Sequence, residues 1–414
     1  MLATIKKLEI NLLINYVAII YAFSIPVSRA GIGIFSVLLF ILWLIEGDFK
    51  DKFYFLKRNK LVISISMFVL YSFLSLVWSS DPVSGLNHLR KIFYLLPILV
   101  IATSIQKVYL FRILSAFLFG MLVSEIISYG IFFEWWKFND VLPNDPTPFM
   151  NHLQYAMFLS MSSLLLLNRF FFEKALKWKI FYFLYFLTVT SNLFLNGGRT
   201  GHVAFAVSIF VVGFANIKNK FLAFFSMLLL VVAIFYTAYH VSPVFKDRFD
   251  AGVSEANKLS NNAKDKYIGS FGIRLALWKA GSEIIKKRPI LGTGIGAEMQ
   301  VLKEHIEKGH YDSALEKGFL VLSDTHYHNN YVQVTVGLGL IGLFLFLLIF
   351  YEIFKLDIED KELSNLRYIF LAIYSISGLV ELMFGPQFPL AFFALFVGLF
   401  IGFSKSKARL SSLA

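Results

Sequence analysis

This chain of 414 residues predicts an all-α polytopic membrane protein, with about twelve transmembrane helices and a large, mainly helical periplasmic loop between the ninth and tenth. Three observations carry that prediction. Hydrophobic residues make up 57% of the sequence and charged ones 16%, more apolar material than a soluble core of this length can hide. The apolar residues gather in runs of about 17 to 25, the length that crosses a bilayer. A single long polar stretch, from about His240 to Asn329, interrupts them late in the chain.

The runs read as spans at residues 11–28, 30–46, 60–78, 88–104, 108–132, 151–167, 178–195, 201–216, 219–239, 331–351, 367–384 and 388–403. Helix is the default for each, because a backbone in hydrocarbon must satisfy its own hydrogen bonds. In the eleventh, the turn Phe384-Gly385-Pro386-Gln387 draws the expected end back to Met383. Lys6 and Lys7 precede the first run as in a signal sequence, but no small-residue cleavage site follows, and a retained helix is expected. The expected organisation is residues 1–239 for the first nine helices, 240–330 for the loop, and 331–414 for the last three helices and a cytoplasmic tail.

The net charge is +12. Much of it sits in alternate short connections, among them Lys50 to Lys60, Arg169 to Lys179, Lys218 and Lys220, Lys355 to Arg367, and Lys405 to Arg409. The positive-inside rule puts these in the cytoplasm beside anionic lipid, so the charge implies membrane lipids as partners and no nucleic acid. Both termini are then cytoplasmic, and the polar stretch faces the other side. With no cysteine, disulfides, thiolate nucleophiles and cysteine metal sites are excluded.

Within the polar stretch, Tyr267 to Arg288 has helical amphipathicity, with Ile273, Leu277, Ala280 and Ile284 on one face, and Pro289 stops it. The glycine-rich Gly292-Thr293-Gly294-Ile295-Gly296 follows, and Glu298 to His305 reads as helix again. Such a region can lie as a cap over the spans. Neither this glycine run nor Gly337-Leu338-Gly339-Leu340-Ile341-Gly342 signals a nucleotide: the first lacks a phosphate loop's Lys-Ser/Thr ending, and the second falls in a span, where small residues serve close helix packing.

Four places carry ionisable groups suited to chemistry. Arg199, in Asn196-Gly197-Gly198-Arg199-Thr200-Gly201, stands between two apolar runs where glycines admit a bulky ligand and a guanidinium can grip phosphate oxygens; otherwise it snorkels beside an ordinary turn. Arg274 lies one turn before Trp278 and can oppose Arg199 across a charged ligand, or simply be solvated on a surface helix. His328, after Asp324 and His326 and before Asn329 and Asn330, is open to three uses: accepting a hydroxyl proton near neutral pH, structural hydrogen bonding, or metal binding with its neighbours. The spacing completes no zinc motif, and neither a metal nor a cofactor is expected. His152 and Arg90, with Asp81, His88, Lys91 and Gln387, stand at helix ends on the same side, where orientation or solvation competes with substrate contact.

In this order, Gly198-Arg199-Thr200, Arg274-Leu275-Ala276-Leu277-Trp278 leading to Pro289-Ile290-Leu291-Gly292-Thr293-Gly294, and His328-Asn329-Asn330-Tyr331-Val332-Gln333 resemble the O-antigen ligase and O-antigen polymerase superfamily. The likeness covers most of the chain. It implies an integral glycosyltransferase of the bacterial inner membrane, with its active site facing the periplasm and metal-independent, inverting chemistry. In the ligases the donor is an undecaprenyl diphosphate-linked glycan and the acceptor a lipid A core oligosaccharide. By that resemblance Arg199 and Arg274 match arginines of diphosphate recognition and His328 the histidine that activates the acceptor; His326, Asn329, His152 and Arg90 are further substrate-binding candidates. O-antigen polymerase and protein O-oligosaccharyltransferase share the donor chemistry, and a lipid-glycan transporter is the alternative of another class.

Overall fold

A computed structural model describes residues 2–261, 267, 269–307 and 326–405, with side chains from residue 9 onward except at 306 and 307. Asp324 lies outside the described residues. Regular structure among the described residues is helical, apart from one isolated antiparallel bridge between Ile358 and Ser404. In order come α1 (Leu2–Ser24), α2 (Arg29–Glu46), α3 (Phe49–Leu56) and α4 (Lys60–Leu74). Next are α5 (Pro82–Leu89) and α6 (Pro97–Ser104), joined by a 3-10 turn at Arg90–Leu95, and then α7 (Leu110–Phe132), α8 (His152–Phe172), α9 (Leu176–Leu193), α10 (Arg199–Asn216) and α11 (Lys220–Val241). The polar stretch supplies α12 (Pro243–Ser260), α13 (Ser270–Lys287) and α14 (Glu298–Glu307), before α15 (Asn330–Lys355), α16 (Lys361–Gly378) and α17 (Gln387–Gly402).

Among the described residues, eight helices are long and apolar enough to cross a membrane: α2, α4 with its 3-10 extension, the α5–α6 unit, α7 with the turn before it, α8, α10, α11 and α15. Glu9–Ser24 and α17 are shorter apolar helices. Helices also occupy the remaining expected runs, as α9 and α16, without reaching the same length and hydropathy together. Eight is therefore the count that length and composition support. The eleventh run also shifts: α16 begins at Lys361, where Asp360 caps Leu363, and ends at Gly378, leaving 379–386 as a turn.

Helix starts follow their capping chemistry. Asn59, Asn151, Asn219 and Asn329 each accept backbone N–H groups of the first turn they precede. At the centre, α8 is buried from Gln154 to Arg169 and α17 from Phe388 to Gly402, so neither needs a polar face. Phenylalanines lock them together, with Phe158 and Phe392 centroids 4.8 Å apart, and Phe117 of α7 packs edge-on to Phe396 at 5.5 Å. By contrast, α11 turns Phe221, Phe225, Leu229, Val232 and Tyr236 outward, a face suited to lipid.

The described helices of the polar stretch pack onto this bundle, α13 lying against α15. α13 lays Ala276, Leu277, Ala280 and Ile284 into a cluster with Leu302, Tyr327 and Val336, the face expected from its periodicity. The chain after it forms a strap against a break in α15, where Gly339 has φ 67° and ψ −169°. The break frees backbone groups, and the strap takes them up: Thr293 N–H donates to Val336 O, Gly294 N–H to Gly337 O, and Leu340 N–H to Pro289 O, each at 2.8 Å. A Cβ on Gly292 would lie 2.5 Å from Gly339 N, and one on Gly339 would collide with the Ile290 carbonyl. Gly339 thus serves backbone approach by the strap, and Gly337 leaves room for the Glu298 carboxyl, in place of the helix–helix packing expected of them.

Candidate active site

The start of α15 is stitched to the turn that follows α16. Asn329 accepts from Tyr331 N–H (2.9 Å) and Val332 N–H (3.0 Å) while donating to Leu379 O (2.8 Å). Asn330 accepts from the N–H groups of Met383 (3.0 Å) and Phe384 (3.1 Å). These bonds bring Glu381 under two histidines. His328 Nδ1 lies 3.0 Å from Glu381 Oε2, and His326 Nε2 lies 3.1 Å from Oε1, with the carboxylate only 4% exposed. His328 holds φ at +48°, a left-handed conformation that a non-glycine residue adopts at a cost of about 1 kcal/mol.

The protonation pattern follows from the partners. Burial pushes the His326 imidazole down to about 4, against the pull of Glu381, so it is neutral at physiological pH. Its Nδ1 accepts the His328 backbone N–H at 3.1 Å, which leaves Nε2 as the N–H that donates to Glu381. Burial also raises the Glu381 carboxyl, but the hydrogen bond from His328, the nearby imidazoles and the Leu382 N–H outweigh it, and the group stays below its ordinary value. An ionised carboxylate only accepts. His328 must therefore donate through Nδ1–H, and when neutral its Nε2 carries the lone pair, with no hydrogen-bond partner among the described residues.

Arg274 is fixed to the same turn. Its Nε donates to Val380 O at 3.1 Å, and Nη1 donates to the Ser270 carbonyl (2.7 Å) and hydroxyl (2.6 Å). Burial lowers this guanidinium's pKa; Glu381 opposes the shift, Arg199 adds to it and Glu255 opposes it, so all four charges share one neighbourhood. Arg199 opens α10, where its Nη2 meets Glu255 Oε1 of α12 at 3.2 Å. The glycines beside it allow α8 to approach: a Cβ on Gly198 would sit 2.6 Å from that of Ala156. His152 pairs with Asp145 at 3.0 Å, and Asp145 accepts the Gly197 N–H at 3.0 Å, so His152 braces the Arg199 turn.

A cavity of about 390 Å³ adjoins this cluster. Its wall is mainly apolar, including Phe68, Leu95 and Phe384, with His88, Lys91, Glu298, Gln333 and His326 as polar points. Complete burial raises the Glu298 carboxyl to about 7. Arg90 is exposed on the 3-10 turn and does not line the cavity, whereas its neighbours His88 and Lys91 do. His326, His328 and Glu381 are also close enough to share a cation, their ligand atoms lying within 4.8 Å of one another. Each imidazole already holds its own carboxylate oxygen, and a cation would have to replace those bonds.

The sequence profile of the O-antigen ligase family matches residues 183–347, a segment holding Arg199, Arg274, His326, His328 and Asn329. A Rickettsia prowazekii protein named as a polysaccharide ligase is 29% identical over 198 residues, covering 42% of this chain and 44% of that protein. Similarly named proteins of Rickettsia conorii and Rickettsia typhi are 31% identical over 122 residues and 34% over 110, covering 28% and 26% of this chain and 29% and 26% of theirs. Over these segments the chain is similar to the O-antigen and polysaccharide ligases. The chain spans less than half the length of the Rickettsia prowazekii relative. Glu381 lies beyond the matched segment and escaped the sequence reading. Its signal was a lone carboxylate in the apolar run Leu379-Val380-Glu381-Leu382-Met383-Phe384. Glu255 gave no comparable signal, since acids are common in a polar helix.

Proposed function

We propose that this protein is an O-antigen ligase, transferring a glycan from undecaprenyl diphosphate to a hydroxyl of a lipid A core oligosaccharide at the periplasmic face of a bacterial inner membrane. The observation that carries the reading is the pair of anchors on one turn: Glu381 orients His328 as a base, and the adjacent Val380 carbonyl holds Arg274. The matched family segment and its polysaccharide ligase relatives support the glycan class.

The acceptor hydroxyl attacks the anomeric carbon opposite the diphosphate. As the new C–O bond forms, the bond to the diphosphate oxygen breaks, and that oxygen keeps the electron pair. The hydroxyl proton passes to His328 Nε2, and the resulting imidazolium is stabilised through Nδ1–H by Glu381. Charge on the leaving diphosphate is met by Arg199 and Arg274, whose planar forks suit phosphate oxygens. Attack opposite the leaving group inverts the anomeric centre. The apolar cavity beside His326 offers room for lipid next to the reacting groups.

The deciding experiment supplies purified protein with lipid-linked glycan and, separately, lipid A core, a second lipid-linked glycan or an acceptor protein. Product on lipid A core supports ligase. Lengthened lipid-linked chains indicate polymerase, and a glycosylated protein indicates oligosaccharyltransferase. Folded protein that moves lipid-linked glycan across vesicles without forming product overturns the enzyme reading.

A further inference from the structure

Glu255 occupies a place that an anion would fill. Its Oε1 accepts from Arg199 Nη2 at 3.2 Å, and its Oε2 accepts the Phe271 N–H at 2.6 Å, in the first turn of α13, three residues before Arg274. The surroundings are shaped for it. Gly269 has φ +100°, and a Cβ there would lie 3.1 Å from Glu255 Cδ. One turn earlier on α12, a Cβ on Gly252 would sit 3.2 Å from Arg199 Nη1, so the guanidinium rests on bare backbone. The carboxylate is thus held by one of the two arginines assigned to the diphosphate and by a helix amide on the element that carries the other. Arg199 still keeps 29% of its side chain exposed, against 14% for Glu255, so an incoming anion can reach it.

We propose that Glu255 is an internal stand-in for the donor's diphosphate: it keeps Arg199 extended across α12 in the empty enzyme and yields its place when the donor's phosphoryl oxygens arrive. The inference rests on the functional reading above and deepens it by naming the residue that tunes affinity for donor and diphosphate product. Glu255 touches neither reacting atom and acts through Arg199 as a positioning residue. Because the donor must displace a carboxylate, part of its binding is offset by the broken ion pair, and the same competition helps expel the product diphosphate.

The test measures binding of undecaprenyl diphosphate to the purified full chain in lipid nanodiscs, with donor KM and kcat from transfer assays. Glu255→Gln keeps the shape and can still accept from Phe271 but gives up the charge. It is expected to tighten undecaprenyl diphosphate binding and lower donor KM by about 5-fold, the worth of one partly exposed ion pair, while kcat stays level or falls as product release slows. Glu255→Asp, too short to span both partners, is expected to fall between the two and serves as the test if the glutamine variant does not fold. A residue that only supports α12 and α13 would instead lower the melting temperature and raise KM. Unchanged or weaker binding in both variants, with normal binding by the unaltered protein, overturns this proposal alone. Absence of binding by the unaltered protein overturns the functional reading and this proposal with it.

Discussion

Replacing Glu381 with glutamine removes the charge that two histidines share while keeping the shape of the side chain. The carboxylate is 4% exposed and lies 3.0 Å from His328 Nδ1, so its bond to the developing imidazolium is charge-assisted and shielded from water. Such a bond contributes about 1.5–3 kcal/mol, and at 1.36 kcal/mol per decade its loss slows transfer by about 10- to 150-fold. The amide adds a second penalty. Its NH2 can donate to Nδ1, which moves the imidazole proton to Nε2 and blocks the lone pair facing the acceptor; the loss then approaches the whole contribution of a general base, about 10²- to 10⁴-fold. Glu381→Gln is accordingly expected to lower kcat by about 10²-fold or more and to leave donor KM within about threefold, because both arginines are untouched. The assay is initial-rate glycan transfer by reconstituted protein, normalised to monodisperse material. Combined with His328→Ala, the substitution should add nothing, since both act on one proton transfer. A variant keeping more than about a third of its kcat, or a double variant whose losses multiply, would refute the base assignment.

Arg199→Ala and His328→Ala should each abolish transfer while leaving membrane insertion intact, and Arg199→Lys should recover only part of the rate because an ammonium lacks the bidentate fork; product yield per folded protein checks all three. Chelation with EDTA should leave the rate unchanged, whereas loss restored by a single divalent metal would place a cation among His326, His328 and Glu381. Gly339→Ala should destabilise the fold by about 2 kcal/mol or more, since it places a Cβ at positive φ against the strap carbonyl of Ile290, and the fraction of monodisperse protein reports this. Glu298 gives a pH signature: its folded pKa of about 7 exceeds the ordinary 4.5, so the folded state keeps a proton that the unfolded chain releases, and stability falls as pH rises from about 4.5 to 7, by about 3 kcal/mol in all. Glu298→Gln should therefore match the unaltered protein in melting temperature near pH 4.5 and exceed it above pH 7.

The apolar helices were legible because hydropathy and length are properties of composition, and the face of α13 was legible because 3.6-residue periodicity is local. Arg199, Arg274 and His328 could be singled out because each stands beside its own local signal: glycines, an amphipathic helix, a span boundary. What each of them pairs with in space was not legible. Glu381 is 53 residues from His328 in the chain and reaches it only because Asn329 and Asn330 stitch the turn after α16 onto α15. Glu255 meets Arg199 across 56 residues. The break at Gly339 was hidden for the same reason: a glycine in an apolar run reads as helix packing until the strap that fills the break is seen. Arg90 and His152 show the converse, since proximity to a helix end did not decide which neighbour faces the cavity.

The anchoring of Arg274 and His328 to consecutive residues has a consequence for the chemistry. A glycosyl transfer needs the leaving diphosphate and the incoming hydroxyl on opposite sides of one carbon, and an error of about 1 Å in their separation can slow it by about 10²-fold. Here the group proposed to grip phosphate hangs from the Val380 carbonyl and the proposed base from the Glu381 carboxylate, residues whose Cα atoms are about 3.8 Å apart across one peptide. Any displacement of the turn carries both anchors together, so their spacing survives it. The turn itself is held by Asn329 and Asn330, whose amides pair with its backbone, and these bonds also secure the segment that bears His328 in its strained conformation. The rigidity that the proposed transfer needs is thus built where α15 and α16 meet, and α13 is tied into it through Arg274 on Val380 and Trp278 on the Tyr327 carbonyl.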